Sequence, residues 1–296
     1  MKDILFSGSA TALITPFTED GGDVDLGFFE KLLEKQLQCG TDALVIAGTT
    51  GEAPVLTAKE KQKLFARAVS VVENRIPVIA GTGSNDTQTA LKNANEAEKE
   101  GVDGLLVVTP FYNKCTAEGL IKHFYYIADR VSAPIVVYNV PSRTGVNIRP
   151  ETYAALSEHK RIVGIKEANG DLSAAARTVA LCGENAAVYS GNDDQTVAMM
   201  AIGAKGVISV ASNLIPREIH EMTRMALEND LLGASALQRR YLELMRLLFS
   251  EVNPIPVKAA AEAIFNKTQP LRLPMTRMTE SSRARLLDEL KELELL

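Results

Sequence analysis

The residues best placed to do chemistry in this sequence stand at the ends of short apolar runs. The clearest is Ile162-Val163-Gly164-Ile165-Lys166-Glu167-Ala168, β-branched at three positions and closing on a lysine. Such a run, bounded by glycine and polar residues, reads as a strand buried on both faces. Burial there penalises the charged form of Lys166 and lowers its pKa, so that neutral amine becomes available at pH 7. A neutral amine attacks carbonyl carbon and forms a Schiff base, which then serves as an electron sink. Taken alone, the same heptapeptide also describes a lysine that snorkels its ammonium into solvent.

Other runs end on residues that would complete such a centre. Gly48-Thr49-Thr50-Gly51-Glu52 follows the apolar Ala43 to Ala47. It fits an ordinary turn, and equally an anion nest whose N–H groups and hydroxyls face a small carboxylate. Tyr138 opens Tyr138-Asn139-Val140-Pro141-Ser142-Arg143-Thr144-Gly145. A tyrosine at a strand end wants a partner for its hydroxyl, and beside a second hydroxyl it can relay protons. Arg143 is either a solvated loop charge or, aimed inward, a bidentate clamp for a carboxylate. Thr109-Pro110-Phe111-Tyr112-Asn113 and Ser190-Gly191-Asn192-Asp193 end two further runs. Glu167 points away from Lys166 if the strand continues, which gives it a packing or ion-pair role. Together the set suits a 2-oxo acid, its carbonyl on the lysine and its carboxylate on the nest. Loss of a proton from the neighbouring carbon gives an enamine that attacks an aldehyde. Aldol chemistry of this kind needs no metal or cofactor, because the iminium supplies the electron sink.

These residues need a scaffold that gathers strand ends, and the chain repeats one theme of apolar strand, polar loop and amphipathic helix. Strands are expected at Ala10 to Ile14, Ala43 to Ala47, Val78 to Ala80, Gly104 to Val108, Ile135 to Tyr138, Ile162 to Lys166, Ala187 to Ser190 and Gly206 to Val210. Alternation of this kind implies a parallel sheet, and eight repeats favour an α/β class (β/α)8 TIM barrel with its site at the C-terminal strand ends. Leu26 to Leu37 has a helical apolar face. Thr57 to Glu60 forms a capping box, and Asn85 to Gln88 has the same form. Gly40, Gly101 and Gly203 fall where helices end. Gly81-Thr82-Gly83 lacks the third glycine of a dinucleotide fingerprint and reads as loop. Beyond Val210 the pattern turns helical, and Asn253-Pro254-Ile255-Pro256 reads as a breaker within it. The expected division is a barrel over 1–225 and a C-terminal helical extension over 226–296.

Composition narrows the classes. The 296 residues are 46% hydrophobic with a net charge of −5 and no basic cluster, which argues against a nucleic-acid partner. No run resembles a signal sequence or a membrane span. Cys39, Cys115 and Cys182 are odd in number and widely spaced, which fits a reducing compartment rather than disulfides or zinc. His123, His159 and His220 are expected on helices without i,i+4 partners, so no metal site is expected. The expectation is a soluble, cytoplasmic protein.

GTTGE at 48–52, TPFYNK at 109–114, YNVPSRTG at 138–145, GIKEA at 164–168, SGND at 190–193, GVISV at 206–210 and NPIPVK at 253–258 together resemble the 4-hydroxy-tetrahydrodipicolinate synthase family. That family belongs to the pyruvate-dependent class I aldolases, with N-acetylneuraminate lyase. The likeness covers nearly the whole chain in order. It implies a pyruvate Schiff base on Lys166, with Thr49, Thr50 and Gly191 around the substrate and the Ile208 carbonyl lining the site. It implies a proton relay of Tyr138, Thr50 and Tyr112, the last reaching in from a neighbouring chain. Arg143 would hold the carboxylate of L-aspartate 4-semialdehyde, and the assembly would be a homotetramer built as a dimer of dimers. Arg143 and the Thr49-Thr50 pair separate the chain from the sugar-acid lyases, the alternative within the superfamily. Lysine-inhibited members carry polar residues that this chain replaces with Ala53-Pro54, Ala58, Thr89 and Phe111, with Lys61 nearby and only Asn85 retained. Feedback inhibition by lysine is therefore expected to be weak or absent.

Overall fold

The structure, a computed structural model, describes residues 2–296. The first half of its barrel comprises β1 (Gly8–Ala12), α1 (Leu26–Gln38), β2 (Ala43–Ile46), α2 (Ala58–Val72), β3 (Val78–Gly81), α3 (Thr87–Lys99), β4 (Gly104–Val108) and α4 (Ala117–Ala128). The second comprises β5 (Ile135–Asn139), α5 (Pro141–Thr144), α6 (Pro150–Ser157), β6 (Ile162–Glu167), α7 (Leu172–Cys182), β7 (Ala187–Ser190), α8 (Thr196–Ala201), β8 (Gly206–Ser209) and α9 (Pro216–Leu227). Four helices follow: α10 (Leu231–Arg240), α11 (Leu242–Leu247), α12 (Ile255–Phe265) and α13 (Glu280–Glu292). The eight strands pair in parallel in sequence order, and β8 pairs with β1 to close the barrel.

The strands are short and almost wholly buried because both of their faces are covered. Alternate residues face inward, where Ala10, Ala12 and Ala43 on one side leave room for Tyr138 and Tyr189 on the other. Their neighbours Leu44, Ile46, Val107, Ile135 and Val137 face outward into the layer beneath the helices. Phe6 belongs to the inner cluster, its ring stacked 4.3 Å from that of Tyr189, whose hydroxyl donates to the Phe6 carbonyl at 2.7 Å. The strand ends opposite this floor are left for the site. The outer core runs without a break from α1 through to Leu290 of α13.

Local signals act largely as expected. Thr57 and Glu60 form the reciprocal capping box of α2, and Gly40, Gly101 and Gly203 take φ of +85°, +82° and +110° past helix ends. Three expectations need correcting. The first strand starts and stops two residues early, because Ile14 N leaves the ladder to donate to Asn213 Oδ1 at 3.0 Å. The cap of α3 is Asp86 rather than Asn85, since its carboxylate accepts from both the N–H and the hydroxyl of Thr89 at 2.7 and 2.6 Å. His159 lies beyond the end of α6 rather than on a helix. Among the described residues, no helix is long and apolar enough to cross a membrane, and no three His, Cys, Asp or Glu are grouped to hold a metal ion.

Candidate active site

The register of the barrel sets Tyr138, Lys166 and Tyr189 side by side on β5, β6 and β7. Lys166 is 5% exposed, and its Nζ lies 4.4 Å from the centre of the Tyr138 ring. Burial pushes its pKa down to about 8, with Asp193 opposing the shift and Arg143 adding to it. Lys258 is also deeply buried, but its Nζ sits 2.5 Å from Glu52 Oε1 and 2.7 Å from the Pro270 carbonyl. Lys166 has no such ion-pair partner among the described residues. The sixth strand therefore carries, next to its last residue, a buried amine with no direct ion-pair contact among the described residues.

A cavity of about 480 Å³ opens at the same end, and Gly48, Thr49, Gly83, Tyr138, Arg143 and Lys61 contribute to its wall. Lys166 stands on the next strand, against the face of the tyrosine that lines this cavity. Burial raises the Tyr138 phenol to about 12, against the opposing influence of Arg143 and a hydrogen bond with Thr49, so it keeps its proton at neutral pH. Gly191 packs on the lysine stem: a Cβ there would lie 3.2 Å from Lys166 Cε and 2.7 Å from Ala168 Cβ. Ile208 is fully buried in the inner cluster on β8.

One expected neighbour is placed differently. The hydroxyl facing Tyr138 is that of Thr49, not Thr50. Thr50 Oγ1 instead accepts from Asn253 Nδ2 at 3.0 Å. Tyr112 takes no part in its own chain's cavity; it is 91% exposed, with φ of +68°. Glu167 faces outward as expected, but its partners are Asn139 Nδ2, the Tyr153 hydroxyl and Asn169 N rather than a cation. Burial raises its pKa, against these donors. Because Asn139 also takes Ile148 N and reaches Asn147, this cluster steadies the loop that carries Arg143.

Sequence reasoning missed two contributors. Asp193 is buried, and its Oδ2 accepts from Val210 N and Ala211 N, both at 3.0 Å, which fixes the turn after β8. Asn253 has no site role in the sequence reading, yet its backbone carbonyl accepts from Arg143 Nη2 at 2.9 Å. The signal available for the second was Lys258, one charge in the apolar run Ile255 to Ala261.

Comparison with known proteins follows this geometry. The profile of the Dihydrodipicolinate synthetase family matches residues 5–293. A 4-hydroxy-tetrahydrodipicolinate synthase of Alkaliphilus oremlandii is 50% identical over 288 residues, covering 97% of this chain and 99% of the relative. The dihydrodipicolinate synthase structure from Thermotoga maritima superposes with a TM-score of 0.96 at 44% identity, covering 99% of this chain and 100% of that one. The chloride-inhibited enzyme of Acinetobacter baumannii, solved with pyruvate, gives 0.96 at 40% identity over 98% and 99% of the two chains. On the strength of a match spanning almost its full length, the chain belongs to the dihydrodipicolinate synthetase family.

Proposed function

We propose that this lyase condenses pyruvate with L-aspartate 4-semialdehyde through a Schiff base on Lys166. The product is 4-hydroxy-tetrahydrodipicolinate, in the diaminopimelate route to lysine. The observation that carries the reading is the buried, unpaired Lys166 amine against Tyr138 at the end of β6. The neutral amine adds to the pyruvate carbonyl, and loss of water leaves an iminium. Thr49, Thr50 and Gly191 hold the carboxylate end, and the Ile208 carbonyl lines the opposite wall. Tyr138, protonated at neutral pH, carries protons to and from the reacting atoms with Thr49 beside it. Removal of a methyl proton gives the enamine, whose carbon attacks the aldehyde. The amino group of the second substrate then displaces Lys166 from the imine carbon and closes the ring. Arg143, in the cavity wall, takes that substrate's carboxylate. No cofactor beyond the covalent imine enters these steps.

Tyr112 is proposed to complete the relay from a second copy of the chain. Its exposure, and Phe111 beside it in the cavity wall, suit a contact in which each copy lends a phenol to the other. The working assembly is then a homotetramer made of two such dimers, and three free cysteines suit a cytoplasmic setting. An assay coupled to a dihydrodipicolinate reductase tests the reaction. Turnover of the reductase on the two substrates supports it; pyruvate release from N-acetylneuraminate with no reductase turnover overturns it.

A further inference from the structure

Asn253 lies in the segment joining α11 to α12, outside every strand end, and is 5% exposed. It touches two residues of the candidate site at once. Its side-chain Nδ2 donates to Thr50 Oγ1 at 3.0 Å, and its backbone carbonyl accepts from Arg143 Nη2 at 2.9 Å. Thr50 follows β2 and Arg143 follows β5, two strands that are not neighbours in the barrel. The segment is itself anchored to the same turn, because Lys258 makes its buried ion pair with Glu52, two residues beyond Thr50. Each contact also assigns the polarity of what remains free. A threonine hydroxyl that accepts from Asn253 keeps its single proton for another acceptor, and a guanidinium held through Nη2 keeps its other N–H groups for a carboxylate. Asn253 Oδ1 is buried with no partner, which a carboxamide serving the fold alone would not be expected to leave.

Resting on the reaction proposed above, we infer that Asn253 is a positioning residue that holds Thr50 and Arg143 in one frame. The C-terminal helical region thereby fixes the separation between the pyruvate half and the aldehyde half of the site. Neither half is set by the barrel alone.

Steady-state kinetics of the full-length enzyme test this. Asn253→Ala removes the bond to Thr50 but keeps the backbone carbonyl that holds Arg143, so it raises KM for pyruvate roughly three- to tenfold, the usual effect of one lost neutral hydrogen bond, and leaves KM for the aldehyde within about twofold. Thr50→Val raises the first alone and Arg143→Ala the second alone. Adding Asn253→Ala to Thr50→Val gives no further rise in pyruvate KM, because the two changes remove one and the same bond. Asn253→Asp keeps the size of the side chain but draws the Thr50 proton to itself, so it too raises pyruvate KM. If Asn253→Ala leaves KM for pyruvate unmoved, or if its effect adds to that of Thr50→Val, the inference is overturned. It is also overturned if neither Asn253 variant folds, since the residue then serves the fold. A wild-type enzyme that fails to turn over this substrate pair would instead reject the reaction itself, and the positioning role with it.

Discussion

A lysine amine with a pKa of about 8 is neutral in about one chain in ten at pH 7, against about three in ten thousand at its ordinary value. Only the neutral form adds to a carbonyl, so the rate at which pyruvate becomes trapped on Lys166 should rise about tenfold between pH 7 and 9 and then level. A rate still climbing through pH 10 would mean an amine with no desolvation. Tyr138 holds its proton up to about 12 and adds no second break below that. Tyr138→Phe should therefore lower kcat roughly a hundredfold or more while leaving the lysine trappable, as measured by turnover and trapping side by side. At this scale Lys166 was legible because a charge at the end of a β-branched run has few structural excuses. Which threonine meets the phenol was not legible, because that depends on the path of the turn rather than on residue type.

Among the elements, α12 and the loop after β2 are joined by Lys258 and Glu52, which are 1% and 0% exposed as side chains. Removing one partner leaves the other charge buried, so Lys258→Met should destabilise the fold by roughly 3–5 kcal/mol in denaturant unfolding. A double change to Lys258→Met and Glu52→Gln should recover part of that loss. The α2–α3 side of the cavity has its own consequence. Ala53, Ala58, Lys61 and Thr89 all line it, and Lys61 offers a like charge, and no carboxylate, to a lysine ammonium. Millimolar lysine is thus expected to leave the initial rate unchanged, and half-inhibition at sub-millimolar lysine would contradict this. Strand and helix order were readable from the change of period between apolar runs. The role of Asn253 to Lys258 was not, because a breaker motif says that a helix ends and nothing about what its side chains then reach.

For the whole molecule, closure of the sheet follows from eight similar units with no fingerprint for an open one, and β8 does pair with β1. A shared site is a different matter, since a sequence carries no direct sign of which exposed residues a second copy covers. If Tyr112 is lent across an interface, inactive Tyr112→Phe and Lys166→Ala chains should regain activity when unfolded and refolded together. In a mixed dimer one site then receives both an intact lysine and an intact phenol, which restores about a quarter of wild-type activity on random pairing. Absence of any recovery would place Tyr112 outside the neighbouring site.

The central claim is that one buried amine captures the keto acid. Borohydride reduction in the presence of pyruvate, followed by peptide mass spectrometry, reads it directly. The prediction is a single reduced pyruvate on the peptide containing Lys166, and none in Lys166→Ala. A mass addition on Lys61, on Lys258 or on no lysine at all would contradict it.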